Sequence, residues 1–195
     1  MNRLLRNIIE SCIRNISGGL GRRIRYLYYR KQFNSCGHKI NIDENVYFDY
    51  PQSISLGNHI WIDRNCIFIS SRSGKIEIGD GSHIGIGSIL QGHGKIIVGN
   101  YFTTSAGCKL YSTSNDPHRC FSGTLHINTS ENDLIKNELL IGNNVWLGLN
   151  VIMVKGRIED NVFVKSNSII TGDIPQNSIA EGNPCRKTNE RYKNE

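Results

Sequence analysis

The stretch "IGNNVWLGLNVIMVKGRIEDNVFVKSNSII" fills residues 141–170, and its apolar residues recur every six positions. Ile141, Leu147 and Met153 lie six apart, and Ile158, Val164 and Ile170 repeat the interval. A surface helix asks for apolar residues three and four apart, and a half-buried strand asks for strict alternation. A period of six fits neither as a single element. It fits short strands laid end to end around a prism, one hexapeptide per face. Each aliphatic then points inward and stacks on its equivalent in the next coil.

The same beat runs back through the chain. It appears at Leu56, Ile62 and Phe68, at Ile78, Ile84 and Leu90, and at Val98, Thr104 and Leu110. Two residues earlier stand small or apolar partners: Ile54, Ile60 and Cys66, then Ile76, Ser82 and Ser88. Starts at 56, 78 and 98 give about one coil per 20 residues, three hexads plus a corner residue or two. Glycine follows the key aliphatic at Leu56, Ile78, Ile84, Val98, Ile141 and Leu147. Glycine and Asn-Gly-like corners are expected to take the tight turns, where φ > 0 is often needed.

A chain of 195 residues suffices for one domain with a substantial core. Aromatics make up only 8%, so Ile, Val and Leu must supply most of that core. The net charge of +6 is concentrated at one end. Residues 1–31 hold eight basic residues and one acidic residue, a balance of +7, while the remainder is −1. The six cysteines, Cys12, Cys36, Cys66, Cys108, Cys120 and Cys185, form no CxxC pair, which argues against a zinc knuckle or a thioredoxin-type motif. Free thiols in a reducing cytoplasm are the expectation. No apolar run approaches the ~20 residues of a membrane-spanning helix. Charges interrupt "MNRLLRNIIESCIRN", so it lacks the apolar core of a signal peptide.

Residues 36–186 resemble the hexapeptide-repeat acyltransferase family, whose fold is a left-handed parallel β-helix. The distinctive strings are "IGNNVWLG" and "DIPQNSIAEGNPCR", similar to the last coils and closing segment of bacterial sugar and polysaccharide O-acetyltransferases. The expected organisation is a basic amphipathic helical segment over 1–35, a β-helix over 36–185, and a C-terminal tail from 186. The resemblance implies acetyl-CoA as co-substrate, no metal cofactor, a homotrimer, and a glycan or a nucleotide- or lipid-linked sugar as acceptor. It suggests a cytoplasmic enzyme of surface polysaccharide synthesis, working at the inner face of the membrane or free of it. An N-acetyltransferase acting on an amino sugar, or a non-catalytic scaffold, would share the same repeats.

Between Leu110 and Ile141 the beat stops for thirty residues. A long excursion from a compact solenoid is usually functional, and this one is expected to protrude over 111–137. It contains "TSNDPHRCFSGTLHINTSENDLIKNE". The resembled enzymes carry Ser-Asp-x-His in such a loop, followed by a Gly-centred turn and an Ile-Asn pair. Asp116, His118, Gly123, Ile127 and Asn128 stand at matching places, with Asn115 as one extra residue between Ser114 and Asp116. The resemblance implies His118 as general base. A sugar hydroxyl is a weak nucleophile at neutral pH, and an imidazole of ordinary pKa ~6.5 can take its proton as attack proceeds. Asp116 either orients that imidazole or, with Pro117, simply makes a turn. Cys108 falls at an inward hexad position, so burial rather than nucleophilic chemistry is expected of it.

Zinc hydration needs three protein ligands and an open site. His83, His93, His118 and His126 show no His-x4-His spacing of the kind found in the zinc β-helix carbonic anhydrases. Surface solvation is expected of His38, His59 and His83. Coenzyme contacts implied by the resemblance fall on Leu149, Ser166, Thr171, Gly172 and Arg186, with Trp146 beside the thioester or simply facing outward. Three departures from the family pattern bear on them. Lys165 to Asn167 replaces a small-residue triplet, so Lys165 could crowd the pantetheine or reach a phosphate. Gly172 replaces a lysine. "KGRIED" is one residue short, so the coil must turn differently at Arg157.

In "RLLRNIIESCIRNISGGLGRRIRYLYYRKQF", Leu5, Ile8, Ile9, Cys12, Ile13 and Ile16 make a helical stripe that Ser17–Gly19 interrupts. Ile24, Leu27 and Tyr28 follow, with Arg22, Arg23, Arg25, Arg30 and Lys31 around them. Such a segment either caps the solenoid end or lies on an anionic membrane through residues 1–31. Nucleic acid is not an expected partner, because the body offers no basic groove.

Overall fold

A computed structural model describes residues 3–116, 118 and 134–192, with residues 3–7 as backbone only. Two helices come first, α1 (Arg3–Arg14) and α2 (Gly18–Tyr29). Six coils of three short strands follow. The first holds β1 (Ser35–Cys36), β2 (Asn41–Ile42) and β3 (Tyr47–Asp49). The second holds β4 (Ile54–Leu56), β5 (Trp61–Ile62) and β6 (Ile67–Ile69), and the third β7 (Lys75–Ile78), β8 (His83–Ile84) and β9 (Ile89–Gln91). The fourth holds β10 (Lys95–Val98), β11 (Thr103–Thr104) and β12 (Lys109–Tyr111). After the excursion come β15 (Glu138–Ile141), β16 (Trp146–Leu147) and β17 (Ile152–Met153), then β18 (Gly156–Ile158), β19 (Phe163–Val164) and β20 (Ile169–Ile170).

The coils stack into three parallel sheets, one per face. Face A orders β1-β4-β7-β10-β15-β18, face B orders β2-β5-β8-β11-β16-β19, and face C orders β3-β6-β9-β12-β17-β20. The protein is thus a left-handed parallel β-helix with two short helices. The register obeys the six-residue series: Ile62 pairs with Ile84, Ile84 with Thr104, and Thr104 with Leu147. Every residue of that series is buried, none more than 4% exposed. Each fully buried aliphatic contributes about 1.5–3 kcal/mol. Thr104 is the polar member, and its hydroxyl is satisfied by Gly85 N–H at 2.8 Å and Ser88 Oγ at 3.2 Å.

The corners differ from the expectation in their chemistry. Left-handed φ falls on asparagine as well as on glycine, with Asn65, Asn144, Asn150, Asn161, Asn167 and Asn177 between 53° and 63° beside Gly81, Gly87 and Gly107. Asparagine tolerates this region because its short amide bonds locally. Glycines after the key aliphatics are needed for closeness instead. A Cβ on Gly79 would lie 2.6 Å from Asn100 Oδ1, and one on Gly142 would lie 2.3 Å from Asp160 Oδ1. Those oxygens belong to a ladder along the A–B corner. Asn58 Oδ1 accepts His38 N–H at 3.1 Å, and Asp80 Oδ1 accepts Asn58 N–H at 2.7 Å. Asn100, Asn143 and Asp160 accept in the same way from Asp80, Asn100 and Asn143 at 2.8, 2.9 and 2.6 Å. The shortened segment turns through Gly156, at φ +104°, where a Cβ would meet Gly172 at 2.5 Å.

Helix α2 closes the N-terminal end. Tyr29 is 1% exposed and packs edge-on against Phe48 at 4.8 Å, and Phe48 stacks on Phe68 at 5.0 Å. Arg25, read from sequence as one of the flanking basic residues, is wholly buried. Its Nε donates to Ile42 O at 2.8 Å, and its Nη1 donates to Ile16 O at 2.7 Å and Ile13 O at 3.1 Å. A guanidinium from α2 therefore satisfies carbonyls at the end of α1 and ties both helices to the first coil. Desolvation pulls its pKa below the ordinary arginine value. At the other end, β21 (Ser178–Gly182) extends face B beyond β19. The residues expected as a tail from 186 instead run back as β22 (Cys185–Glu190), antiparallel to β21. That returning strand pairs with the edge that β21 would otherwise leave open.

Candidate functional site

The excursion leaves the solenoid at the corner between faces C and A, between β12 and β15. It begins as an antiparallel pair, β13 (Thr113–Asn115) with β14 (Leu134–Lys136), with Ser114 opposite Ile135. Ser112 and Asn137 clamp its base. Ser112 Oγ accepts Gly94 N–H at 3.0 Å and donates to Gln91 O at 2.8 Å. Asn137 N–H donates to Ser112 O at 2.7 Å, and its amide donates to Val154 O at 3.1 Å. The loop thus springs from a fixed root.

His118 is exposed, three residues past the end of β13. Its backbone N–H donates to Asp116 Oδ1 at 2.9 Å, the bond of an Asx turn. Gly123, Ile127, Asn128, His126 and Cys120 lie outside the described residues.

Beneath the hairpin opens a cleft of about 320 Å³. Thr113, Ser114 and Ile135 form its hairpin wall, and Val154, Lys155 and Thr171 form the solenoid wall. Thr113 Oγ1 is buried there without a hydrogen-bond partner among the described residues. Of the coenzyme residues expected from sequence, Thr171 lies in this cleft, and Gly172 follows it around the same corner. Leu149 and Ser166 come together at a different corner, between faces B and C, where Leu149 N–H donates to Ser166 Oγ at 3.0 Å. Trp146 is 45% exposed on face B, its ring 4.7 Å from Phe163 and its Nε1 donating to Ser105 Oγ at 3.2 Å. Arg186 is exposed on β22 and donates to Cys185 O at 2.8 Å. Lys165 pairs with Glu181 at 2.8 Å, which gives it a partner of its own on the protein. The set is therefore spread over face B, the B–C corner and the C–A corner rather than gathered at one spot.

Lys155 and Val154 were not among the residues expected from sequence. Both directly follow Met153, the last member of a hexad triplet, so the corner was marked but its role was not. The thiols of Cys66 and Cys108 are unsuited to attack. Burial pushes Cys66 up to about 12 and Cys108 up to about 11. Cys108 is 0% exposed and donates to Gly148 O at 3.1 Å, in keeping with its inward hexad position. Among the described residues no three His, Cys, Asp or Glu side chains group as metal ligands.

Comparison with known proteins completes the picture. No protein-family model matches the sequence. A dTDP-4-amino-4,6-dideoxy-D-glucose acyltransferase of Escherichia coli is 25% identical over 162 residues, 83% of this chain and 84% of that protein. The galactoside O-acetyltransferase of Escherichia coli K12 is 26% identical over 158 residues, and the match spans 80% of this chain but only 64% of that enzyme. Among solved structures, the N-acyltransferase AntD from Bacillus cereus, in complex with dTDP and 3-hydroxybutyryl-CoA, superposes with a TM-score of 0.75. It is 24% identical, covering 86% of this chain and 88% of AntD. The chain is an acyltransferase similar to those of the hexapeptide-repeat family. In this acyltransferase, the hairpin leading to His118 and the cleft holding Thr171 share one corner of the prism.

Proposed function

We propose that this acyltransferase moves an acetyl group from acetyl-CoA to a sugar hydroxyl in the synthesis of a surface polysaccharide, with His118 as general base. The hydroxyl oxygen attacks the thioester carbonyl carbon and the C–S bond breaks. The hydroxyl proton passes to the imidazole and then to the departing thiolate, leaving an acetyl ester and free CoA. Asp116, bonded to the His118 backbone, acts as a positioning residue. No acyl-enzyme is required, in keeping with the buried, high-pKa thiols at Cys66 and Cys108.

The observation that carries this reading is the common corner. The clamped hairpin whose strand β13 runs toward His118 also lines, among the described residues, the cleft that contains an expected coenzyme residue, Thr171. Leu149 and Ser166, at the far edge of face C, would serve a coenzyme bound to a neighbouring copy, which is the geometry of a homotrimer. Light scattering should then give three times 22.0 kDa. A second reading, transfer to an amine, is favoured by the relative matched along most of its length, which acts on a 4-amino sugar. Incubation with labelled acetyl-CoA and both acceptor kinds separates the two, because hydroxylamine cleaves an ester and spares an amide. His118→Ala should lower turnover by roughly 10²–10⁴-fold with CoA binding retained. Undiminished transfer by that variant would remove His118 from the mechanism.

A further inference from the structure

Side chains alternate across a strand, so the hairpin has two faces. Ser114 and Ile135, with Thr113 at the root, line the Thr171 cleft, whereas Leu134 and Lys136 line a second one. This second cleft, of about 450 Å³, is completed by Ser71, Arg72, Ser73 and His93 from the C–A corners of the second and third coils. Its floor is fixed. Gly74 N–H donates to Ser71 Oγ at 3.0 Å, and a Cβ on Gly74 would lie 2.2 Å from Gly92 O. The described lining offers a guanidinium, an imidazole, two hydroxyls and the ammonium of Lys136, which also interacts elsewhere on the protein. The chain beyond residue 31 has a net charge of −1, so this clustering is not a general property of the surface.

A two-substrate transferase needs a donor side and an acceptor side, and the hairpin leading to His118 separates two clefts. We propose that the Arg72–His93–Lys136 cleft holds the phosphate or diphosphate of the acceptor, so that the acceptor is a phosphate-linked sugar rather than a free one. Guanidinium matches phosphate oxygens in a fork, and lysine adds a point charge. The proposal rests on the reading of the Thr171 cleft as the donor side. Nucleoside and polyprenyl diphosphates share this chemistry.

The test is calorimetric titration of the full chain, saturated with CoA to occupy the donor side. The titrants are inorganic diphosphate, dTDP, UDP and farnesyl diphosphate. Arg72→Glu/Lys136→Glu should weaken diphosphate binding at least about tenfold and leave CoA affinity unchanged. Tighter binding of dTDP or UDP than of inorganic diphosphate identifies a nucleotide-linked acceptor, and tighter farnesyl diphosphate identifies a lipid-linked one. Equal binding by variant and wild type, or no diphosphate binding at all, overturns the proposal. So does a parallel loss of CoA affinity, which would assign the cleft to the donor. Diphosphate binding at this cleft without sugar acylation would instead defeat the functional reading and leave the site standing.

The helices carry an independent observation. The buried side of α2 holds Gly21, Arg25 and Tyr29, and the opposite side exposes Leu20 (68%), Arg23 and Leu27 (48%). Arg30 and Lys31 are exposed just beyond it, and α1 adds Ile8 (53% exposed). Apolar side chains among the exposed cations Arg23, Arg30 and Lys31 complement an anionic lipid surface. We infer that this face docks on an anionic bilayer. The full chain should co-sediment with vesicles containing about one-third phosphatidylglycerol, weakly with phosphatidylcholine alone, and less as salt rises. Leu20→Glu/Leu27→Glu should cut that binding at least about fivefold without altering acyl transfer in solution. Equal pelleting by both vesicle types, or by variant and wild type, overturns it. So does a change in molar mass by light scattering in that variant, which would give the face to a second copy.

Discussion

At Gly142 an added methyl would sit 2.3 Å from Asp160 Oδ1, the atom that holds Asn143 N–H. Gly142→Ala must push that carboxylate away, and overpacking of this kind costs about 1–3 kcal/mol. Thermal unfolding should show a lowered midpoint, with Gly172→Ala, where nothing lies within 4 Å, as the mild control. Asp80 makes a pH-dependent contribution at the same corner. Hydrogen bonds from the Asn58 backbone and side chain hold its carboxyl below the usual aspartate value. A depressed folded pKa means stability present above the unfolded value of about 4 and lost as pH falls through the folded one. Asp80→Asn should therefore flatten the acid limb of stability measured between about pH 5 and 2. At pH 8 the Cys66 and Cys108 thiolates are roughly 10⁻⁴ and 10⁻³ populated. Iodoacetamide should label exposed Cys12 and spare both while the protein stays folded, as peptide mass mapping will show.

Helix α2 is held by one buried arginine in addition to its apolar contacts. Arg25→Met keeps the volume and removes the donors to Ile13, Ile16 and Ile42 carbonyls. Orphaned buried acceptors cost about 1–3 kcal/mol each, so denaturant unfolding should reveal a loss of at least about 2 kcal/mol. Sequence reading counted Arg25 with its basic neighbours, because helical spacing says which residues share a face but not which face is covered. The hexads were more legible. Their apolar series, their period and the break after Leu110 follow from spacing alone, since every coil must repeat the same inward positions. Asparagine at the corners was harder to read, because the turn's handedness is set by how one strand is handed to the next.

Along the whole molecule, each coil touches only its neighbours, so stability is close to a sum of coil and interface contributions. Hydrogen exchange should be slowest at β8, β11 and β16, which have strands on both sides, and fastest in α1 and β22 at the ends. Protection highest at β22 would contradict this. The sequence by itself determined the prism: a six-residue apolar period leaves no other way to bury Leu56, Ile84, Leu147 and their equivalents. Its resemblance to the Ser-Asp-x-His motif also singled out His118 from the two histidines on the excursion. Only the tertiary structure decided that Thr171 and the hairpin share a corner while Leu149 and Ser166 stand at another, and that Arg72, His93 and Lys136 meet across three coils. Those groups are 21 and 43 residues apart in the chain. Contacts between coils depend on how many residues each corner consumes, and no local pattern in the chain encodes that count.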